Sequence, residues 1–527
     1  MKVMKGLQIQ SPTPPIGLAY IAATLKEHNI EYSVIDGCGE ALEKITPFEG
    51  RPDIYIQGLA IDEIVDRIPR ESDIIGITCI FSNCWPVVRE LAKAIRSRFS
   101  DSLIVVGGEH ATALPELVLK SSPIDVCVLG EGEETFLKVI EAYRNRNSRK
   151  KENGLLQMVD EPKSVNIFDN ISGIACLVGD EYRNYELSSR TRNIDDFPWP
   201  DWESFPIEKY ISARQVTGIH LGRAIPILGT RGCPYKCTFC SSPNMWTTIW
   251  IHREPSKLVD EMEYFRKKYD LKGFTFMDLT FVINKKTVKS FARELIQRNL
   301  DIVYQLPSGT RSEGFDEEVG NLLYESGLRN FAFAPESGSE EVRALIKKQI
   351  DIGKMFDAIR FCLKKPMTIA CYVVIGFPED TPNSLKETIR LVRKLAAVGI
   401  HDITVSKFVP YPGSAHFQTL LKKRKITLDD HYFLSPLDFY TDKSTSYCDA
   451  VSDRSLYWWM IWMFSNFYII SFCLHPWRVL RSFVIYFTKG VEETRYMRWF
   501  ADRFVVRNNW RKKFRKGRVT PTKIREK

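Results

Sequence analysis

The 527-residue sequence has no apolar run behind Met1-Lys2-Val3-Met4-Lys5, so its start lacks the core of a secretory signal peptide. It has little that would make a disulfide framework either. Its 12 cysteines are scattered along the whole length instead of crowded into a short chain. Thiols so placed serve metals in a reducing compartment, which points to the cytoplasm. Wholesale disorder is excluded, because 44% of the residues are hydrophobic and 26% charged. An excess of charge of one sign is lacking except at the end. The net charge of +9 is concentrated there, with ten Lys or Arg against one acid, Glu526, in residues 507–527. Such a tail could touch anionic lipid or nucleic acid, but a solvated tail is the commoner reading, and no nucleic-acid partner is expected. The length allows two to four domains, each with its own core.

Against this background one stretch stands out: Gly229-Thr230-Arg231-Gly232-Cys233-Pro234-Tyr235-Lys236-Cys237-Thr238-Phe239-Cys240. Spacings of three and then two residues let three thiolates face one tight loop, and soft thiolates suit iron–sulfur clusters. Three thiolates leave the fourth iron of a cubane open to chelate a small molecule, as a catalytic zinc keeps an open position. A zinc knuckle would want a fourth ligand, and the closest candidate, His252, lies outside finger spacing. The loop, with Phe239 directly before the last cysteine, closely resembles the signature of radical S-adenosylmethionine (SAM) enzymes. That resemblance implies a 4Fe-4S cluster on Cys233, Cys237 and Cys240 whose unique iron holds SAM, with Phe239 among the cofactor-binding residues.

Residues 1–145 alternate β-branched runs with helical patterns. Strands are expected at 31–35, 72–78, 102–106 and 126–129, and helices at 16–28 and 86–99. The alternation implies a Rossmann-like, doubly wound parallel sheet that binds ligands beyond the carboxyl ends of its strands. The phrases Pro14-Pro15-Ile16-Gly17-Leu18, Val106-Gly107-Gly108-Glu109-His110 and Gly130-Glu131-Gly132-Glu133 resemble the cobalamin-binding domain found ahead of many radical-SAM cores. The resemblance implies cobalamin contacts at Thr78, Ser82, Gly107, Gly108, His110, Gly130, Glu131 and Gly132. Asp36-Gly37-Cys38-Gly39 stands where an Asp-x-His-x-x-Gly motif might be sought, so no lower axial histidine is implied. Only residues 1–4 and 7–9 offer a first strand, which is expected to be short or truncated.

Residues 146–212 read as a connector, with a loop-like charged run at 144–153, a hairpin near 173–187 and a proline-broken segment at 195–202. Residues 213–430 repeat strand, turn and helix. Strands are expected at 224–228, 273–277, 302–305, 330–334, 370–375 and 402–408, with helices at 255–268, 286–298, 317–326, 340–348, 352–362 and 384–398. This fits a partial (β/α)6 barrel with its site at the carboxyl ends of the strands. For SAM, the resemblance implies Asp278 on the amino group and Arg311, beside Ser308, on the carboxylate by a bidentate fork. It places Glu336 and Ser337 at the amino or ribose groups and Gly376 and Pro378 near the adenine. Residues 431–527 read as a helical, aromatic-rich region. Within it, 455–474 is a run of twenty residues without a charge. A buried helix capping the barrel is the preferred reading, with an interfacial membrane contact and a true span left open.

Residues 1 to about 425 thus resemble the cobalamin-dependent radical-SAM family, which includes C-methyltransferases and the anaerobic magnesium-protoporphyrin ester oxidative cyclase. The resemblance implies cleavage of SAM to methionine and a 5′-deoxyadenosyl radical, which removes hydrogen from an unactivated carbon. Methylcobalamin then supplies a methyl group, and a second SAM restores it. The alternatives are an oxidase or cyclase without methyl transfer, and a cobalamin and iron–sulfur sensor or electron-transfer protein. The expected partners are a small-molecule or lipid substrate and an electron donor such as flavodoxin or ferredoxin. No catalytic residue beyond the cofactor contacts is readable.

Overall fold

The computed structural model describes residues 2–3, 12–49, 51–153, 167–489 and positions 494 and 497. The basic run 507–527 and residues 7–9 lie outside the described residues. Helix α1 (Ile16–Glu27) starts directly behind Pro14-Pro15 and buries Ala19, Tyr20, Ala22 and Ala23. Proline is tolerated there because a first-turn N–H has no helical partner to lose. The first sheet follows as β1 (Ile74–Thr78), α2 (Trp85–Arg98), β2 (Leu103–Gly107), α3 (Glu109–Ala113), β3 (Val126–Val128) and α4 (Glu133–Asn153). β1, β2 and β3 are parallel neighbours.

Three local expectations are corrected. Residues 31–36 carry no strand ladder, although 31–35 read as a strand. An extended segment becomes a strand only with a partner, and β1 is the edge of its sheet. Lys2–Val3 pairs instead with Arg51–Gln57, which also pairs with Ile45–Phe48, in a separate antiparallel sheet. The run 144–153, expected as loop, continues α4, since its Arg, Lys and Glu residues are good helix formers. The hairpin expected in the connector is β4 (Ile174–Val178) and β5 (Glu181–Asn184). It joins the first sheet antiparallel to β3 and so makes that sheet mixed.

The second sheet contains six parallel strands in chain order: β6 (Ala224–Ile227), β7 (Gly273–Phe276), β8 (Val303–Thr310), β9 (Leu328–Glu336), β10 (Thr368–Ile375) and β11 (Asp402–Lys407). Along β10 buried and half-buried residues alternate, as a strand between a helical layer and an open barrel interior requires. After β6 comes the cluster loop and the short helix α5 (Ser242–Trp246). Helix α6 (Pro382–Val398) joins β10 to β11, opens on a capping box of Thr381 with Ser384 and ends at Gly399 in the left-handed region. Beyond the barrel lie α7 (Asp453–Leu474) and α8 (Pro476–Lys489). The inner face of α7, Leu456, Met460, Met463 and Phe467, is buried in the same core as β10 and β11. That face packs on the side of the barrel, while Trp458, Trp462 and Ile469 on the opposite face stay exposed, so α7 is half-buried where a buried helix was expected.

Candidate active site

The cluster loop leaves β6 and is clamped by backbone. Thr238 donates its N–H to Ile346 O (3.1 Å), and His416 donates its N–H to Thr238 O (2.9 Å). Phe239 packs on Phe377 of the turn after β10, ring centroids 5.4 Å apart, a contact that ties the loop to that turn. Burial pushes the thiols of Cys233 and Cys237 up and that of Cys240 up to about 12, while Lys348 opposes the rise at all three. Cys237 also feels Cys233, and Cys240 feels both of the others. Among the described residues no three Cys, His, Asp or Glu groups form a cage for one metal ion. Three soft thiolates on one loop, without a fourth protein ligand in the set, suit an iron–sulfur cluster with one open iron better than a closed tetrahedral zinc site. His252 is engaged elsewhere, with its Nδ1 3.0 Å from Arg253 O.

Two cations stand over the loop. The Arg311 guanidinium lies 3.8 Å above the centroid of the Tyr235 ring. Its Nη2 donates to Gln349 O, while Nη1 is buried with no partner. A spare buried guanidinium donor beside the thiols fits an anionic group such as a carboxylate. Lys348 is buried and lies 3.1 Å from Glu336 Oε1. Burial works against its charge, but Glu336 and Cys237 together outweigh that and raise the affinity of the ammonium for its proton. Glu336 ends β9 with φ of 60°, a left-handed conformation uncommon outside glycine and frequent at functional sites. Sequence reasoning missed Lys348, which nothing distinguishes from the neighbouring Lys347 until the fold buries it.

Other expected SAM contacts are placed differently. Asp278 is buried and accepts from Thr230 Oγ1 (2.5 Å) and Gly229 N (3.1 Å), so its carboxylate braces the end of β6 instead of standing open for an amino group. Burial pushes it up to about 7. Ser337 is buried, its hydroxyl 3.3 Å from Thr388 Oγ1 of α6. Ser308 is half-buried in β8 among Phe276, Asp278 and Thr310. Gly376 has φ of 84°, and a Cβ there would stand 2.5 Å from Leu456 of α7. Pro378, two residues on, is half-buried.

The strand ends of the first sheet meet the segment after the third cysteine. Gly108 has φ of 109° and room for no side chain, since a Cβ would stand 2.7 Å from Cys79 O. That turn aims Glu109 at Ser241 and Asn244, and burial pushes its carboxyl up to about 7. His110 is fully buried, stacked on Trp85, with Nδ1 3.0 Å from Ser82 Oγ, and burial pushes it down to about 3. Gly130 donates its N–H to Thr112 Oγ1 and faces Met245 of α5. Thr78 and Gly107 are half-buried register partners, and Gly132 packs near Ile21. Glu109 Oε1, His110 Nε2, Thr238 Oγ1 and Ser242 Oγ are buried without partners. Buried polar atoms are rarely left so, and a large polar ligand such as cobalamin fits these turns.

Glu131 is not presented to a ligand. Its Oε2 lies 3.3 Å from Arg190 Nε and its Oε1 3.2 Å from Arg231 Nη1. Arg231 also holds Glu133 (2.6 Å) and lies over the rings of Tyr20 and Phe197. This buried network ties the last parallel strand of the first sheet to the residue two before Cys233. Its signal in the sequence was only the charge of its members.

Fold and site together define a class: an open parallel barrel that presents three thiols beneath two cations, faced by a Rossmann-like domain with glycine turns. Residues 6–140 match the B12 binding domain and residues 227–392 the radical SAM superfamily. Cytidylyl-2-hydroxyethylphosphonate methyltransferase of Streptomyces wedmorensis is 30% identical over 382 residues, which cover 71% of this chain and 70% of that protein. An uncharacterised methyltransferase of Pyrococcus horikoshii is 28% identical over 79% of this chain and 82% of its own length. The radical SAM methyltransferase TsrM from Kitasatospora setae, solved with tryptophan and a SAM analogue, shares the fold (TM-score 0.58, 16% identity, 78% of this chain and 74% of that one). The chain belongs to the cobalamin-dependent radical SAM family and is an enzyme of that family, as its loop and glycine phrases suggested.

Proposed function

We propose that this enzyme is a C-methyltransferase that acts on an unactivated carbon of a small or lipophilic substrate. The arrangement of Cys233, Cys237 and Cys240 beneath Arg311, with its spare buried Nη1, carries the reading. When bound, the cluster supplies the electron that cleaves SAM to a 5′-deoxyadenosyl radical, and cobalamin supplies the methyl group. The chain's own residues bind and orient. Cys233, Cys237 and Cys240 hold the cluster, Arg311 receives the SAM carboxylate, and Glu336, held by Lys348, faces the amino or ribose groups. The turns at Gly107–Gly108 and Gly130 let backbone approach the corrin, and the packed interdomain seam excludes water from the reacting carbon. A low-potential donor such as flavodoxin or ferredoxin would supply the electron, and the cytoplasm would supply both partners.

The test is anaerobic reconstitution with cluster, cobalamin, SAM and a reductant. Optical spectra and 5′-deoxyadenosine are measured in the wild type and in the variant with all three cysteines changed to Ala. The triple variant should lose cluster absorbance and all 5′-deoxyadenosine; iron content that stays near the wild-type level would refute the ligand assignment. On candidate substrates, a mass gain of one methylene per turnover supports methyl transfer. Loss of hydrogen or gain of oxygen with no methylene would make the enzyme an oxidase or cyclase instead.

A further inference from the structure

We propose that the paired outer faces of α7 and α8 dock this enzyme on the surface of an anionic lipid bilayer. On α8, Trp477, Leu480, Val484 and Phe487 recur at three- and four-residue steps, and Trp477 and Phe487 are 80% and 70% exposed. They lie within one narrow stripe of the helix. On α7, Trp458, Trp462 and Ile469 form a second exposed stripe. Isolated exposed apolar residues are ordinary, but two neighbouring stripes of large ones mark an interaction surface.

The partner is read from what surrounds the stripes. Helix α6, packed along α7, exposes Lys386, Arg390, Arg393 and Lys394 against the single acid Glu387. Arg481 of α8 is exposed as well. Tryptophan beside a cationic rim is the composition of an element lying at the headgroup level. The same rim opposes a second copy of this chain, because a two-fold contact would bring like charges together.

A transmembrane path is also disfavoured. α7 is long and apolar enough to cross a bilayer, but its other face is committed to the barrel core through Leu456, Met460, Met463 and Phe467. Arg393 of α6 donates from Nε to Asn466 Oδ1 of α7 (2.8 Å), and Tyr468 donates to Asp402 Oδ1 (3.2 Å). Placing α7 across a membrane would carry the charged face of α6 into hydrocarbon, so the surface meets the bilayer side-on.

The full-length protein is sedimented with vesicles of phosphatidylcholine alone and of phosphatidylcholine with about one-third phosphatidylglycerol. At about 0.1 M salt, binding to the anionic vesicles should exceed binding to the neutral ones by about tenfold or more, and it should fall as salt approaches about 1 M. The doubly substituted variant Trp477→Glu, Phe487→Glu should lose about tenfold or more of that binding. Both side chains are exposed, so its thermal midpoint should match wild type. Unchanged binding in that variant would assign the attraction to other basic residues and overturn the proposal. A stable dimer in sedimentation equilibrium that this variant abolishes, without vesicle binding, would make the surface a self-contact. Recovery only in detergent, with salt-insensitive binding, would establish a span.

Discussion

Arg311 has more donors than the protein gives it acceptors. Nη2 meets Gln349 O, Nε lies 3.4 Å from Glu313 Oε1, the plane lies on Tyr235, and Nη1 is buried with nothing to bind. If the SAM carboxylate is the missing acceptor, Arg311→Ala removes a charge-assisted contact worth about 1.5–3 kcal/mol. SAM affinity should fall about ten- to hundredfold while cluster absorbance stays unchanged. Arg311→Lys should recover little, since a point charge does not replace the planar fork. Equal SAM affinity in all three proteins, by equilibrium dialysis, would return Arg311 to a structural role.

Asp278 gives a pH dependence. Burial pushes it from 3.8 up to about 7 despite its hydrogen bonds to Thr230 and Gly229. The folded state therefore holds a proton that the unfolded state releases at lower pH. The resulting stability is complete below about pH 4 and lost as pH rises through about 7, nominally about 4 kcal/mol. Asp278→Asn cannot titrate, so wild type should weaken relative to this variant across that window in urea midpoints. A difference that stays flat with pH would mean that the folded carboxyl is ionised throughout.

The loop between β6 and α5 is anchored by charge as well as by backbone. Arg231 precedes Cys233 by two residues and is held by Glu133 and Glu131, which begin α4 and end the turn after β3. Removing one partner of a buried pair strands the other, so Arg231→Met should cost about 3–5 kcal/mol in chemical denaturation. Arg231→Met combined with Glu133→Leu should cost much less than the sum of the single changes, because the stranded charge is gone. Strict additivity would show the pair to be energetically idle. The barrel strands were legible because each is a local β-branched or aromatic run that ends in a turn signal, as Ile375-Gly376-Phe377-Pro378 does for β10. The segment 31–35 has the same local character but no ladder, because strand pairing depends on residues far along the chain. The charged continuation of α4 was read as loop because it has no apolar stripe, the feature on which helix recognition rests.

The two domains meet where the sequence is least informative. Cys233, Cys237 and Cys240 were readable because their spacing is itself the chemistry. The commitment of Glu131 to Arg190 and Arg231, and of Asp278 to Thr230, was not readable, because each acid's partner comes from another element. The same holds for the seam in which Glu109 faces Ser241 and Asn244, while His110 Nε2 and Ser242 Oγ are buried without partners. If cobalamin fills that seam, its binding must order both sides at once. A ligand that binds only the folded state raises the free energy of opening by RT ln(1 + [L]/Kd), about 2.7 kcal/mol at a hundredfold excess over Kd. Where exchange proceeds through opening of the seam, amide exchange should then slow by about a hundredfold. Hydroxocobalamin added to the reconstituted protein should therefore protect residues 107–113 and 238–246 together, while the outer helices α7 and α8 stay unchanged. Protection on the first side alone would place the ligand on the N-terminal domain and away from the cluster loop. The two cofactors would then be too far apart for one to hand a methyl group to a carbon activated at the other, and the methyltransferase reading would fail with it.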